Sequence, residues 1–200
     1  METLQELIKI ASEAGACEDE LEEVRKFDTL DKALKSSQAL IWAYWMRSNP
    51  QVSSKLTEDM KHVLEQIIIQ DSECAYLLRS NASISDLSDE TKRAAEQTAS
   101  QESEWAFCLR CDVEDMPDNM KRKLEQSAIR DPEWAFCLRL DIRDMPDDMK
   151  LAAEQSAIRD PYAAFCLRRE IKDLSDDMKL AAEQAAEKDP VWRERMRLFL

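Results

Sequence analysis

The chain has 200 residues, 44% of them hydrophobic and including five Trp and five Phe, enough to bury a core in one domain or a short repeat array. A single glycine, Gly15, and 35% charged residues exclude most hairpin and tight-turn chemistry, and with it strands. A formal charge of −14 argues against nucleic acid and anionic lipid as direct ligands; it reads first as keeping a Trp-rich chain in solution and leaves room for a basic protein partner.

The amino-terminal METLQELIKIASE carries acids where a signal peptide would be basic, and runs such as ALIWAYWM (39–46) are too short to cross a membrane, so a cytoplasmic chain is expected. Residues 1–36 read as a helical capping head. Its first helix ends at Gly15 in the C-cap role, and its second, containing EDELEE (18–23), offers the polar face that the end of an array requires.

From residue 37 to 200 one sentence is repeated. WAYWMR (42–47), CAYLLR (74–79), WAFCLR (105–110 and 134–139) and AAFCLR (163–168) align, and DPVWRERMRLFL begins a sixth copy. The closing arginines are Arg47, Arg79, Arg110, Arg139, Arg168 and Arg197, separated by 32, 31, 29, 29 and 29 residues. A period in this range marks a solenoid with one supersecondary unit per repeat.

Each unit divides into two helices. Asp-Pro at 131–132, 160–161 and 189–190 sets an N-cap before a proline at the first helical position, which starts helix A. Turns such as DIRDMPDDMK then start helix B with acids suited to a helix N-terminus. Helix A is apolar around most of its circumference, which places it inside; the small-residue stripe Met149, Ala152, Ala153, Ser156 and Ala157 places helix B in a more exposed layer. The expected fold is all-α: a right-handed α-solenoid of about five helical hairpins.

The tandem hairpins resemble α-solenoid repeats of the general HEAT or tetratricopeptide kind, with a shorter unit. The head's "GAC" (15–17), the "DPxxAF" starts and the acidic "RD" turns are similar to uncharacterised repeat proteins encoded by bacteria and phages. That resemblance implies no catalytic residues.

Little in the sequence points to chemistry. His62 is replaced by Arg93, Arg122, Leu151 and Leu180 in the other copies, so the repeat does not need imidazole there. Cys108 and Cys111 suggest a metal or redox pair until aligned: Cys108 matches Cys137 and Cys166 as a small buried hydrophobe, and Cys111 matches Leu140 and Arg169. Neither metal nor cofactor is expected, the six cysteines read as free thiols, and no phosphate loop or triad suggests an enzyme.

Two polar patterns recur. Helix B carries Glu65, Glu96, Glu125, Glu154 and Glu183, each four residues after a Lys, and each could meet the helix A arginine in a bidentate pair. Such an Arg–Glu ladder would fix repeat register; alternatively the arginines line a groove for a carboxylate-bearing ligand. The second pattern is an acidic A-to-B edge: Asp112, Glu114, Asp115 and Asp118; Asp141, Asp144, Asp147 and Asp148; Glu170, Asp173, Asp176 and Asp177. The expectation is a non-enzymatic protein-binding or scaffolding module presenting this edge. The alternative is a phage-type anti-defence inhibitor that imitates nucleic acid and blocks a basic channel. Leu198, Phe199 and Leu200 leave apolar groups at an end without a polar cap, which suggests self-association through the termini.

Overall fold

A computed structural model describes residues 4–36 and 38–199. Among them the chain forms fifteen helices and no strand. Residues 1–98 and 99–200 form two compact units. The first contains α1 (Leu4–Glu13), α2 (Glu18–Arg25), α3 (Leu30–Ala33), α4 (Ala39–Ser48), α5 (Pro50–Ser53), α6 (Glu58–Ile68), α7 (Ser72–Ser80) and nearly all of α8 (Asp89–Ala99). The second contains α9 (Ser103–Asp112), α10 (Asp118–Ala128), α11 (Pro132–Asp141), α12 (Asp147–Ala157), α13 (Pro161–Glu170), α14 (Asp176–Ala186) and α15 (Pro190–Phe199). Helices pack in successive pairs, α4 with α6, α9 with α10, α11 with α12 and α13 with α14, so the fold is an all-α helical-hairpin repeat.

The punctuation works as its chemistry requires. Asp131 accepts from the backbone N–H groups of Glu133 and Trp134, and Asp160 from that of Ala163, with proline at the first helical position in both cases. At the start of helix B, Thr57, Ser88 and Ser175 accept from the third helical N–H, while Pro117 and Pro146 occupy the same position with no side-chain cap. In the head, Gly15 adopts φ +83°, and the N–H groups of Gly15 and Ala16 return to the carbonyls of Ser12 and Ala11. That pair of bonds is a Schellman closure, which favours glycine at the residue after the cap.

The head is fused to the first hairpin by apolar burial. Leu7 of α1 enters the core formed by Met46, Val52, Leu64, Ile68 and Leu78, and Trp42 and Trp45 pack against both this core and that of Leu4, Ile8, Leu21 and Val24. In the second unit the A helices form a row, α9 to α11 to α13 to α15. Tilted ring pairs join its members: Phe107 with Trp134 at 5.4 Å between centroids, and Phe165 with Trp192 at 5.3 Å.

The expected inner A and outer B layers are not uniform: α13 buries Ala163 to Leu167, but α11 and α12 depart from the expectation. In α11 only Ala135 and Leu138 are buried, Trp134 and Phe136 are half-buried and Leu140 is exposed; α12 buries Met149, Ala153, Glu154, Ser156 and Ala157. Small side chains let one face of α12 pack closely against its neighbours, whereas the bulky residues of α11 spread along the row and stay partly wet. Between the helices, an aliphatic pair three residues apart turns inward in four of the five hairpins: Ile84 and Leu87, Val113 and Met116, Ile142 and Met145, Ile171 and Leu174.

The carboxyl end also differs from expectation, because α15 is itself a polar cap. Where α13 has buried Ala164, Phe165 and Cys166, α15 has exposed Arg193, Glu194 and Arg195. Of the expected apolar patch, Leu198 and Phe199 are exposed, and Leu200 lies outside the described residues.

Candidate functional site

The arginine that closes each A helix lies in its last turn, facing the glutamate of helix B in the same hairpin. Nε donates to a glutamate oxygen in all five: Arg47 to Glu65 at 2.7 Å, Arg79 to Glu96 at 2.8 Å, Arg110 to Glu125 at 2.8 Å, Arg139 to Glu154 at 2.7 Å and Arg168 to Glu183 at 2.6 Å. At Arg47, Arg110, Arg139 and Arg168 the glutamate is held through Nε alone, not through the expected bidentate contact. The other edge of the guanidinium reaches the loop of the next hairpin: Nη2 donates to Asp144 from Arg110 at 2.8 Å, to Asp173 from Arg139 at 2.7 Å and to Asp86 from Arg47. One planar fork thus joins two carboxylates from two repeats.

The innermost clamp is the most fully satisfied. Arg47 is 2% exposed, its Nη1 donates to Ser53 at 3.0 Å, and the second oxygen of Glu65 accepts from Thr91 at 3.0 Å. A buried ion pair is tolerable only when its remaining donors and acceptors find partners in this way. Burial alone would raise the Asp86 carboxyl, but hydrogen bonds from Lys61 and Arg47 outweigh it and hold the group at about 2. Arg110 and Arg139 lower Asp144 and Asp173 in the same direction.

The recurrent Lys four residues before each glutamate also has a different partner from the one its spacing suggests. Lys61 donates to Asp86 at 2.8 Å, and the charges of Lys121 and Lys150 act on Asp144 and Asp173. Arg and Lys of one hairpin therefore converge on one aspartate of the next. At the first hairpin the loop position of that aspartate is occupied by Lys55, which reaches Glu13 of the head at 3.2 Å. The charge is reversed where the preceding element carries an acid instead of an arginine.

All twelve residues of the expected acidic edge are exposed, and all belong to the second unit. They differ in what they do. Asp144 and Asp173 are clamp residues, Asp148 pairs with Arg122, and Glu170 pairs with its neighbour Arg169 at 2.6 Å. Asp147 and Asp176 are fully exposed and accept from Lys150 at 3.4 Å and Lys179 at 3.0 Å, one turn away. Asp118, Asp147, Asp148, Asp176 and Asp177 lie in the first turn of their B helices. Asp112, Asp141 and Glu170 are instead the last residues of α9, α11 and α13, at the negative end of the helix dipole. Arg197, expected to continue the ladder, is exposed, and no B helix follows it among the described residues.

Asp86 and Thr91 escaped the sequence reading. Aligning the loops by the aliphatic residue that follows would have exposed the first, since Asp86, Asp115, Asp144 and Asp173 share one repeat position. Thr91 occupies a position held elsewhere by Met, and that departure was the available signal.

Cys108 and Cys137 are half-buried and Cys166 is buried; burial pushes the Cys137 thiol up to about 11. His62 is exposed. Among the described residues no group of three or more His, Cys, Asp or Glu is placed to hold a metal ion, and no helix is long and apolar enough to cross a membrane. Comparison of the chain with protein-family models, with curated proteins and with solved structures finds no match.

Proposed function

We propose that the chain is a non-enzymatic binding module whose acidic A-to-B edge, in the second unit, engages a basic protein surface. One observation carries this reading: the recurrence of Asp112, Asp141 and Glu170 at helix C-termini. An acid there opposes the helix dipole, at a cost of about 0.3 to 1 kcal/mol, so capping does not account for it. Together with the first-turn acids of the following B helices, these residues concentrate exposed negative charge at the same end of three successive hairpins. Such a surface steers encounter with a cationic partner and fixes its register. The free thiols suit a reducing compartment such as the cytoplasm.

A narrower form of the reading is a phage-type anti-defence protein whose edge imitates a phosphate backbone inside a basic channel. The once-per-repeat spacing of the acids favours it, since a regular row of negative charge is what such a channel reads.

The test replaces Asp141, Asp147, Asp176 and Asp177 by Asn, leaving the clamp residues Asp144 and Asp173 intact. Pull-down from host extract with stepped salt elution should recover a basic partner with the native chain. The variant should associate at least about tenfold more slowly at low salt while still unfolding cooperatively, its stability lowered by about 0.3 to 1 kcal/mol for each first-turn aspartate removed. Undiminished, salt-insensitive binding by the variant would reject the edge as the interface.

A further inference from the structure

Two B helices of the second unit carry an apolar side chain on a face that the fold leaves uncovered. Leu151 of α12 is 48% exposed and Leu180 of α14 is 54% exposed. They occupy one repeat position, held in the earlier copies by His62, Arg93 and Arg122, so the fold does not require an apolar group there. Their exposure does not come from the end of the array, because α13 and α14 follow Leu151 and leave it about as open as Leu180. Each leucine stands one turn after a first-turn aspartate, Asp147 or Asp176, at the four-residue spacing that puts both on one side of a helix. Those aspartates each accept from a lysine of their own helix and remain fully exposed. On α10 the leucine position belongs to Arg122, which is turned to Asp148 of α12, so the apolar face begins beyond that pair.

We propose that α12 and α14 together seat a basic amphipathic helix of another protein, its apolar side chains on Leu151 and Leu180 and its lysines or arginines beside Asp147 and Asp176. Charge selects the occupant. A group approaching either leucine passes an exposed carboxylate one turn away, which attracts a cation and repels an acid. A second copy of this chain, at −14, would meet those carboxylates with its own surplus of acid. Spacing selects the helix. Arg122 reaches Asp148, so successive B helices stand within the span of two side chains, and packed helices lie about 8 to 10 Å apart. Two turns of a crossing helix rise about 10.5 Å, which places apolar residues seven apart over both leucines. This inference rests on the acidic edge as the interface and deepens it, naming the form of the partner and adding two apolar residues to the surface.

The probe is a blocked peptide of lysine, alanine and leucine, about 15 residues long, with leucines seven residues apart on one helical face and lysines beside them. Its control has the same composition with that face scrambled. Titrated into the full chain carrying 13C-labelled leucine methyls, the amphipathic peptide should shift Leu151 and Leu180 saturably and bind about tenfold more tightly than the control. Leu151→Gln with Leu180→Gln should remove that advantage. Leu140→Gln should not, since Leu140 of α11 is similarly exposed but has no aspartate one turn before it. Equal affinity for the two peptides, or an advantage that survives the double leucine change, would overturn the helix seat; if the Asp-to-Asn variant of the edge still binds the basic partner more slowly, the edge then stands alone. A loss on changing the leucines but not the aspartates would reject the edge, and the basic partner with it. Self-association of the free chain that disappears in the leucine variant would overturn a separate protein as the occupant, assigning the face to a second copy.

Discussion

Arg47 shows how much depends on one guanidinium in this fold. It is buried, and three groups from three segments accept from it: Glu65 of α6, Ser53 of α5 and Asp86 of the following loop. Truncation to Ala leaves the carboxylate of Glu65 buried without its cation, so Arg47→Ala should destabilise the first unit by about 3 to 5 kcal/mol in urea denaturation. Arg47→Met with Glu65→Leu should recover most of that loss, because an uncharged pair of similar volume leaves no orphaned ion; a double variant as unstable as the single one would contradict this account. Asp86 adds a dependence on acidity. Its carboxyl lies near 2 in the folded chain against an ordinary 3.8, so its stabilisation is fully present above about pH 4 and is lost as pH falls towards 2. Asp86→Asn should therefore lower the unfolding midpoint at neutral pH, and the gap from the native chain should close progressively between about pH 4 and 2.

The Schellman closure after α1 is the one point among the described residues where the backbone enters the left-handed region. No atom stands within 4 Å of a Cβ built on Gly15, so the cost of Gly15→Ala is conformational alone, about 1 kcal/mol, and Gly15→Asn should cost less. Thermal unfolding of the two variants measures the difference. This helix end was legible in the sequence because a lone glycine after an apolar-periodic stretch has few other uses, and the Asp-Pro starts of α11 and α13 were legible for a similar reason. The Arg–Glu contact was legible too, since both residues recur at fixed places in each hairpin. Other features depend on neighbours that a single hairpin does not reveal. The turn of Nη2 towards Asp144 or Asp173 follows from how the next loop descends, and the aliphatic pair that anchors that loop lies hidden among acids. The assignment of layers held unevenly because hydrophobicity alone was used to rank burial, whereas volume and neighbours decided it: Ala153, Ala157, Ser127 and Ser156 on B helices are buried, Trp134 and Phe136 on α11 stay half-buried, and Phe165 on α13 is buried.

In the second unit Arg110 and Arg139 each reach the loop aspartate of the next hairpin, Asp144 and Asp173, so the middle hairpin supplies an arginine forwards and an aspartate backwards, and a copy of it can be added without altering either side. A chain carrying a second copy of residues 131–159, inserted before Asp160, should fold with one more helical pair and an unfolding midpoint no lower than the native value, as nearest-neighbour coupling predicts. The same insertion with its own Asp144 changed to Asn should be measurably less stable, and equal midpoints for the two would mean the clamps do not couple repeats. The exchange of aspartate for Lys55 at the first hairpin limits this freedom in one direction: a lysine there would meet the arginine of any hairpin inserted ahead of it, cation against cation. In terms of descent, tandem duplication or deletion in the gene would lengthen or shorten such a chain through its interior, while the head stays matched to the first hairpin.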